Sequence, residues 1–568
     1  MLMQLKSLTM LSLFFLTSIF VTHAYGNSAL FSDEVKANNE LVLTLQNQLN
    51  DLGMDAGSPD GVWGRRTAGA IDAFVDRFPP LTALSTAQDA IDRIQFIHDS
   101  WLKSPFDGDT RLITPPGSLF SNEVFQSDIR TLNLDCDNCS LVTFILGAGD
   151  FDADGIDEIV APDHVRDASD IQVEIPTRTL IIDLGRDHNP RPLELYGTEE
   201  PIRRVHEREA LIEDFNGDSV DDLFIAAHGL DAQPFPGEQN VLLLSSPNGP
   251  IDASLTHLPV INDMAHGAGS GDIDNDGDID IVVMTHPGSG RYDPYLLRND
   301  GTGNFQRELL NTLVDDPRLL QLYSGGLVIN QYSSARLLDM NNDSNLDLIL
   351  LRCCQNGKEY SSDSHILFNK GNGTFSVTDM VTLPTDRWGE LTYTNDAEAI
   401  DLDGNGLIDL ILAQSTQIDN CCWKGHYVQI FMQEEEGVFV DRTAERMWPQ
   451  GYELPLRNIQ YADDINMADL DRDGDMDMII VSYNPVMRSR DLSTAIAHIG
   501  INVDGSGSFL PLDPRYLSNG QPHRFNGPIA GRFGPNGEAM MASFHLHGFY
   551  SPDADITYGA KFSLHRPQ

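Results

Sequence analysis

The stretch Asp272-Ile273-Asp274-Asn275-Asp276-Gly277-Asp278-Ile279-Asp280 has oxygen-bearing side chains at its first, third, fifth and ninth positions, and Ile281-Val282-Val283 follows directly. A hard cation such as Ca²⁺ takes about 6–8 oxygen ligands, and a tight turn can wrap carboxylates around such an ion. The apolar, β-branched run that follows predicts a buried strand. An EF-hand would need flanking helices and a glutamate at the twelfth position, which is Val283 here. The stretch therefore predicts a calcium loop that leads into a strand.

The same nine-residue pattern occurs six times, and its first residue recurs after 58 to 68 residues. We expect up to six Ca²⁺ sites, bound by Asp150, Asp152, Asp154 and Glu158; Asp214, Asn216, Asp218 and Asp222; Asp272, Asp274, Asp276 and Asp280; Asp339, Asn341, Asp343 and Asp347; Asp401, Asp403, Asn405 and Asp409; and Asp469, Asp471, Asp473 and Asp477. The second and fourth loops have Ser219 and Ser344 at the sixth position, where glycine suits a sharp turn better, so we expect them to bind more weakly than the third and sixth.

A seventh, degenerate copy has Arg532 and Met540 in place of the first and ninth acids, so we expect a fixed positive charge there instead of an ion. Repeats of this length, each with several short strands, predict the blades of a β-propeller. The alternative is that the loops are solvated turns without metal. Clustered carboxylates repel one another unless a cation is present, which disfavours that alternative.

Segments such as Asn299–Phe305, Asn369–Phe375, Gly437–Asp441 and Asn502–Phe509 accompany the loops. With these marks the chain resembles the FG-GAP (VCBS-type) repeat family, as in the integrin α-subunit propeller, over residues 118–568. The resemblance implies a mainly β fold, a seven-bladed β-propeller with its calcium loops on one face. We expect the stretch 119–134 to supply the missing outer strand of the last blade and so to close the ring.

Composition and the first residues bear on where the protein works. The formal net charge of −48 argues against partners such as nucleic acid and anionic membranes. Residues 1–24 resemble a secretory signal peptide, with Lys6, a short apolar run and a small-residue cleavage site at Ala24. We therefore expect an exported protein, periplasmic, cell-surface or extracellular, with no transmembrane span in the mature chain. The chain has three cysteine pairs, Cys136/Cys139, Cys353/Cys354 and Cys421/Cys422. An even number of cysteines in an exported protein favours disulfides, and a soft-metal thiolate site is the alternative.

Residues 36–104 differ from the repeats. A helical apolar pattern ends at Gly53, and a turn rich in glycine and proline, Gly57–Thr67, leads to a second helix that Thr67 could cap. This order resembles the peptidoglycan-binding domain family, although Val75 stands where that family usually has glutamine. The alternative is that Asp60, Gly61 and Thr67 only build the turn. We expect a small α-helical domain here, joined to the propeller by a linker at 105–117.

The loops on the face opposite the calcium sites carry many histidines and aromatic residues, which can bind sugar rings or act as general acids and bases. The weak catalytic candidates are His228, His266, His286, Arg291 and Tyr292, in neighbouring loops of the second and third repeats. Two functions stay open. One is recognition of a cell-wall glycan or an envelope protein; the other is a polysaccharide lyase or hydrolase. The fold decides neither.

Overall fold

The structure is a computed structural model of the chain. It describes residues 30–51, 56–77, 86–88, 90–91, 94, 120–132, 139–143, 146–161, 163–167, 170–179, 181–186, 191–198, 202–230, 235–285, 293–320, 323–324, 327–328, 332–353, 363–385, 387–388, 392–418, 421–447, 453–454, 461–469, 474–483, 498–502, 505–511, 526–533, 540–549 and 556–567. The chain divides into two compact units, Met1–Asp109 and Thr110–Gln568.

The first unit is helical, with α1 (Asp33–Lys36), α2 (Asn39–Asp51) and α3 (Arg65–Arg77). Its turn between α2 and α3 is organised by Gln46, which is almost fully buried. The side-chain oxygen of Gln46, Oε1, accepts hydrogen bonds from the backbone N–H groups of Asp60 and Gly61, at 3.0 and 2.9 Å. Its amide donates to Thr67 Oγ1 at 3.2 Å. Because α3 begins two residues before Thr67, our expectation that Thr67 caps this helix is wrong; Thr67 instead ties the helix to the turn.

The second unit is built from strands. The first repeat contains β1 (Phe120–Leu132), β2 (Cys139–Thr143), β3 (Gly147–Gly149), β4 (Glu158–Val160), β5 (Asp163–Asp167), β6 (Asp170–Ile175), β7 (Thr177–Arg178), β8 (Ile181–Asp183), β9 (Arg191–Pro192) and β10 (Arg203–Arg204). The next three contain β11 (Glu207–Glu213), β12 (Asp222–Ala227), β13 (Val241–Leu244), β14 (Ile251–Asp252), β15 (Ala265–Gly271), β16 (Asp280–Thr285), β17 (Tyr295–Asn299), β18 (Phe305–Leu309), β19 (Tyr323–Ser324), β20 (Leu327–Val328), β21 (Tyr332–Leu338), β22 (Asp347–Arg352), β23 (Ser364–Leu367) and β24 (Val381–Leu383). The remainder contain β25 (Thr392–Ile400), β26 (Asp409–Ile418), β27 (Cys421–Glu435), β28 (Val438–Asp441), the short helix α4 (Thr443–Arg446), β29 (Glu453–Leu454), β30 (Tyr461–Ala468), β31 (Asp477–Tyr483), β32 (His498–Asn502), β33 (Phe509–Pro511), β34 (Asn526–Gly531), β35 (Met540–Phe549) and β36 (Ile556–Pro567).

These strands confirm a mainly β unit with a β-propeller arrangement, but the expected seven blades are wrong: the structure has six. Among the described strands, five sheets have four strands each, in the orders β3-β4-β8-β9, β11-β12-β13-β14, β15-β16-β17-β18, β21-β22-β23-β24 and β1-β36-β35-β34. The sixth is a single sheet of nine strands, β25 to β33. Its two repeats merge because β27 is long, and Gly425 on it pairs in parallel with Tyr461 on β30.

The first and last parts of the repeat region close on each other. β1 pairs antiparallel with β36 from Phe120↔Pro567 to Leu132↔Ile556, with one register shift. β1 thereby becomes the outer strand of the sheet that holds the degenerate repeat. The prediction that this stretch supplies the missing outer strand is confirmed.

Apolar side chains from successive sheets share cores. The second strands β12, β16 and β22 are buried along their whole length, as expected for strands covered on both faces. One cluster joins Phe215 and Phe224 of the second repeat with Val283 and Phe305 of the third, and the rings of Phe215 and Phe305 lie 5.8 Å apart. In the described part of the chain, no helix is long and apolar enough to span a bilayer.

Candidate metal sites and the histidine cluster

Each acidic loop lies between the first and second strands of its repeat, and its first side chain holds the turn. In the first loop the two carboxylate oxygens of Asp150 accept the backbone N–H groups of Asp154 and Gly155, at 3.0 and 2.9 Å. The first aspartate makes the same bond to the sixth N–H in all six loops, over 2.8–3.2 Å. The sixth residue has a positive φ throughout, between 67° and 99°, and at Ser219 and Ser344 this is a strained conformation for a residue with a side chain.

The ninth side chain fastens the loop to the sheet. Asp347 is fully buried and accepts the backbone N–H of Met340 at 2.9 Å and that of Asn369, just beyond β23, at 2.8 Å. Asp222 and Asp409 make equivalent contacts. Burial raises the pKa of Glu158 to about 9, and the carboxylate of Asp152 adds to the effect. The ionised form of these acids is therefore costly unless a positive charge lies nearby.

The donor sets fit a hard cation. Three loops bring carboxylate oxygens within 4.8 Å of one another: Asp150, Asp152 and Glu158; Asp272, Asp274 and Asp276; and Asp401, Asp403 and Asp409. Glu158 Oε1, Asp274 Oδ1 and Asp469 Oδ1 are buried with no hydrogen-bond partner. A buried carboxylate oxygen without a partner is costly, and oxygen-only donors suit Ca²⁺. In the sixth loop, Asp471 and Asp473 lie outside the described residues.

A cation of the protein itself faces the third loop. Arg298 Nη1 lies 2.6 Å from Asp274 Oδ2 and 2.7 Å from Asp280 Oδ2, and its guanidinium is mostly buried. In the first loop the corresponding position of the third strand holds Asp183, as the pairs Ile159↔Ile182 and Ile281↔Leu297 show. Nothing in the spacing of the acidic residues signals either side chain, because the position is defined only by strand pairing.

Amide side chains link successive loops. Asn369 donates to the carbonyl of Leu346 in its own loop at 3.0 Å and to that of Ile273 in the preceding loop at 2.8 Å. Its oxygen accepts the N–H groups of Gly371 and Gly373. Asn299 and Gln433 bridge their neighbouring loops in the same way. Two of the segments noted in the sequence, Asn299–Phe305 and Asn369–Phe375, therefore begin with an asparagine that connects two neighbouring loops.

At the degenerate repeat, Arg532 joins two neighbouring loops through their eighth residues. Its Nε donates to Asp157 Oδ1 at 2.8 Å, and its Nη2 lies 3.3 Å from Asp221 Oδ2. The Arg532 backbone N–H also donates to Asp157, and the Asp150 N–H donates to Asp221. The predicted positive charge at Arg532 is thus placed between acids at the closure of the ring.

A cluster of rings lies at the ends of several first and second strands that are farthest from the acidic loops. The rings of His206 and His228 are 5.2 Å apart, those of His228 and His266 are 5.6 Å apart, and those of His266 and Tyr393 are 5.5 Å apart. His206, His228 and Tyr393 are buried. Arg208 Nη2 lies 2.9 Å from His266 Nε2.

This arrangement limits what His266 can do. Arginine only donates, so Nε2 of His266 is the acceptor in its contact with Arg208. The hydroxyl of Tyr393 lies 2.7 Å from Nδ1 and 2.8 Å from Nε2 of the same ring. His228 instead has its Nδ1 3.2 Å from the carbonyl of Gly229, which directs Nε2 away from the backbone. Next to the cluster, burial raises the pKa of Glu207 to about 7, against the hydrogen bond that Thr179 donates to it.

A second network crosses the inner strands. The guanidinium of Arg336 on β21 contacts Glu209 on β11 at 2.5 Å and also Asp396 on β25. Burial acts to lower the pKa of Arg336, but these two carboxylates outweigh it and raise the pKa further. Asp396 also accepts the Ile465 N–H at 2.9 Å. Arg336 is thus an ionic junction between strands of three repeats.

Of the five catalytic candidates, the structure brings His228 and His266 together. His286, Arg291 and Tyr292 lie outside the described residues, as do Cys136 and Cys354. The sequence reasoning missed Arg208 as a partner of His266 and did not place Tyr393 or His206 against the two candidate histidines. Their convergence depends on how strands from three repeats meet, and that is not visible in any one motif.

The comparisons agree with the repeats. Residues 339–412 and 401–480 match a family model described as an FG-GAP-like repeat, so FG-GAP-like repeats are present in this chain. They include the fourth, fifth and sixth loops. A search of curated proteins gave no significant match.

Solved structures give only distant likenesses. A Trypanosoma rangeli sialidase in complex with the inhibitor DANA is 9% identical, with a TM-score of 0.35 and coverage of 66% of this chain and 57% of the sialidase. The exotype rhamnogalacturonan lyase YesX is 10% identical, with a TM-score of 0.23 and coverage of 75% and 71%. A Bacillus licheniformis rhamnogalacturonan lyase is 14% identical, with a TM-score of 0.22 and coverage of 77% and 52%. The chain thus spans somewhat over half the length of the sialidase.

Proposed function

We propose that this protein is an exported, calcium-stabilised propeller that recognises a glycan or a protein partner at the cell envelope. The observation that carries the calcium part is the set of buried carboxylate oxygens without hydrogen-bond partners, Glu158 Oε1, Asp274 Oδ1 and Asp469 Oδ1, at equivalent loops of three repeats. A divalent cation offsets the desolvation of these groups. When bound, it would supply structural cross-linking of each loop, while the chain's own amides connect one loop to the next.

Recognition fits the histidine cluster better than catalysis does. The rings pack on one another and are mostly buried, and both nitrogens of His266 are engaged by Arg208 and Tyr393. A general base needs an accessible lone pair within reach of the substrate proton. Such a set of rings gives a rigid base under the surrounding loops, on which a partner can be held with little loss of side-chain entropy.

A polysaccharide lyase or hydrolase is the second candidate. The observation that favours it is Glu207, a buried carboxyl whose pKa of about 7 lies near the working range of a general acid or base, one residue from His206. His228, with Nε2 directed away from its backbone contact, would be its partner in proton transfer.

The first unit would attach the protein to the wall. We propose glycan binding at its turn, where Val62 is well exposed. There the ring of Trp63 lies 5.0 Å from that of Phe31 at a tilted angle, and Lys36 Nζ lies over the Trp63 ring. Asp60 and Thr67 are occupied in the hydrogen bonds of Gln46, so they serve the turn itself.

The test combines binding and chemistry in one assay. The purified protein is incubated with a panel of polysaccharides, including purified cell-wall sacculi, in Ca²⁺ and in chelator, and both retention on the polymer and new reducing ends are measured. We expect Ca²⁺-dependent retention without new reducing ends. Ca²⁺-dependent release that His228→Ala abolishes, while His257→Ala at a half-buried site outside the cluster does not, would establish the enzyme. Both candidates would be contradicted if the protein is retained on no polymer, releases no reducing ends and captures no envelope protein.

A further inference from the structure

One position on the third strand of each repeat faces the adjacent acidic loop. In the third repeat, for example, Ile281 directly follows the ninth loop residue and pairs with Leu297, and the position in question is the next residue, Arg298. The same register in the six repeats gives Asp183, Leu244, Arg298, Phe368, Met432 and Ile501. Four of the six are apolar. The third repeat is the one with a cation at this position.

Arg298 uses oxygens that an ion would use. Its Nη1 contacts Asp274 Oδ2 and Asp280 Oδ2, at the third and ninth positions of the loop. In the second, fourth and fifth loops the equivalent Oδ2 of the ninth residue accepts the N–H of the second loop residue, as Asp347 accepts Met340. In the third loop Asp280 Oδ2 accepts the guanidinium instead. The position therefore changes how the loop is neutralised.

The guanidinium of Arg298 also has a second carboxylate within reach, outside the loop. Arg298 Nη2 lies 3.5 Å from Glu308 Oε2 on β18, and Glu308 is partly exposed. A Ca²⁺ ion entering the third loop would have to break two short, mostly buried ion pairs and leave Arg298 beside it, paired only with Glu308. Like charges at this separation repel strongly where water is scarce.

We propose that Arg298 is an intramolecular competitor for Ca²⁺, so that the third loop is the weakest of the six and stays empty at concentrations that fill the others. This inference rests on the proposed calcium binding of the loops. It reverses the ranking expected from loop sequence alone, in which the third loop, with four carboxylates and glycine at its sixth position, is among the strongest.

The experiment is a count of bound Ca²⁺ by equilibrium dialysis and calorimetry, on the wild-type protein, Arg298→Leu and Arg298→Gln. Leucine reproduces the residue at the equivalent position of the second repeat, and glutamine keeps a polar side chain of similar length without charge. Arg318→Leu is the matched control, because it removes an arginine that is 53% exposed and lies outside the acidic loops, where it pairs with the nearby Asp316. Circular dichroism in Ca²⁺ confirms that each variant is folded.

We expect the wild type and Arg318→Leu to bind one ion fewer than both Arg298 variants, or to bind that ion at least tenfold more weakly. Six equivalent sites in the wild type, or unchanged stoichiometry and affinity in both Arg298 variants, would overturn the inference and leave the proposed calcium binding intact. No Ca²⁺ bound by any of the four proteins would overturn both.

Discussion

At the scale of single residues, the acidic loops combine strain with charge. Left-handed backbone occurs at the sixth position of every loop and also at Ala153, Asn275 and Asn342 at the fourth. Each costs a residue with a side chain about 1–2 kcal/mol. The loops accept this cost because the left-handed turns point successive N–H groups at the first aspartate.

Replacing Ser219 or Ser344 by glycine should relieve this strain. Glycine also gives the unfolded chain more backbone freedom, which opposes this gain. Because the relief of strain is the larger effect, we expect the free energy of unfolding to rise by about 0.5–1 kcal/mol per site. Chemical denaturation in Ca²⁺ measures it. The reciprocal changes Gly155→Ser and Gly406→Ser should lose a similar amount, because an added Cβ there meets no atom within 4 Å and only backbone strain changes. Stabilisation by the reciprocal pair would contradict the account.

Glu207→Gln should alter the pH dependence of stability. Because the folded pKa of Glu207, about 7, lies above its unfolded value of 4.5, its contribution to stability is fully present below pH 4.5 and is lost as the pH rises through 7. We compare the free energy of unfolding of the glutamine variant with that of the wild type at each pH. From pH 4 to pH 9 we expect this difference to shift in favour of the variant by about 1–3 kcal/mol. Denaturation at several pH values measures this, and the exposed Glu194→Gln should leave the profile unchanged.

At the scale of elements, each acidic loop is joined to the next repeat by an amide side chain at or near the end of that repeat's third strand. Each such amide satisfies carbonyls in two loops and the hairpin beyond it. Side-chain truncation there leaves several buried polar groups without partners, which costs more than the loss of one ordinary hydrogen bond. The sheets are thus connected by side chains at the ends that carry the acidic loops, in addition to their shared apolar cores.

Asn369→Ala removes one connector. It leaves the carbonyls of Ile273 and Leu346 and two glycine N–H groups without that partner, so we expect a loss of about 3 kcal/mol in the free energy of unfolding. The exposed Asn372→Ala, three residues away, should change it by less than about 0.5 kcal/mol. Equal effects from the two substitutions would show that the bridging contacts contribute nothing.

At the scale of the whole molecule, closure depends on two different devices. β1 and β36 join by backbone pairing, and Arg532 joins the first and second loops by charge. The inner strands add the Arg336 junction. The contacts that close the ring join residues far apart in the sequence. A substitution at the closure should therefore affect the stability of more than one repeat.

We expect Arg532→Ala to lower the free energy of unfolding by about 1–2 kcal/mol and to speed amide exchange in the first loop, because Asp157 and Asp221 would lose their shared cation. Hydrogen exchange with mass spectrometry resolves the location. Arg442→Ala is the control, since it also removes an arginine paired with two carboxylates, Glu434 and Glu445, but within one repeat. Uniformly faster exchange in both variants would argue against a closure role.

The sequence predicted the parts that repeat. The spacing of the six loops and the strands after them followed from patterns such as Asp272–Val283. The closing strand predicted at 119–134, and observed at Phe120–Leu132, followed from the outer strand that the last repeat lacks. The blade count failed because the merging of two repeats depends on the length of β27 and one parallel pair, which no periodicity encodes. Asp183 and Arg298 were missed as site residues, and the contact of Tyr393 with His266 was not foreseen, for a related reason: their neighbours are set by register and by contacts between repeats.

The pairing of β1 with β36 also has a consequence in time. β1 ends about 420 residues before β36 begins. At a synthesis rate of roughly 5–20 residues per second, the first strand waits roughly 20–80 s for its partner. During that interval a long unpaired strand edge is available to other chains. Survival of the nascent protein should therefore depend on how well something else shields β1 until the final strand arrives.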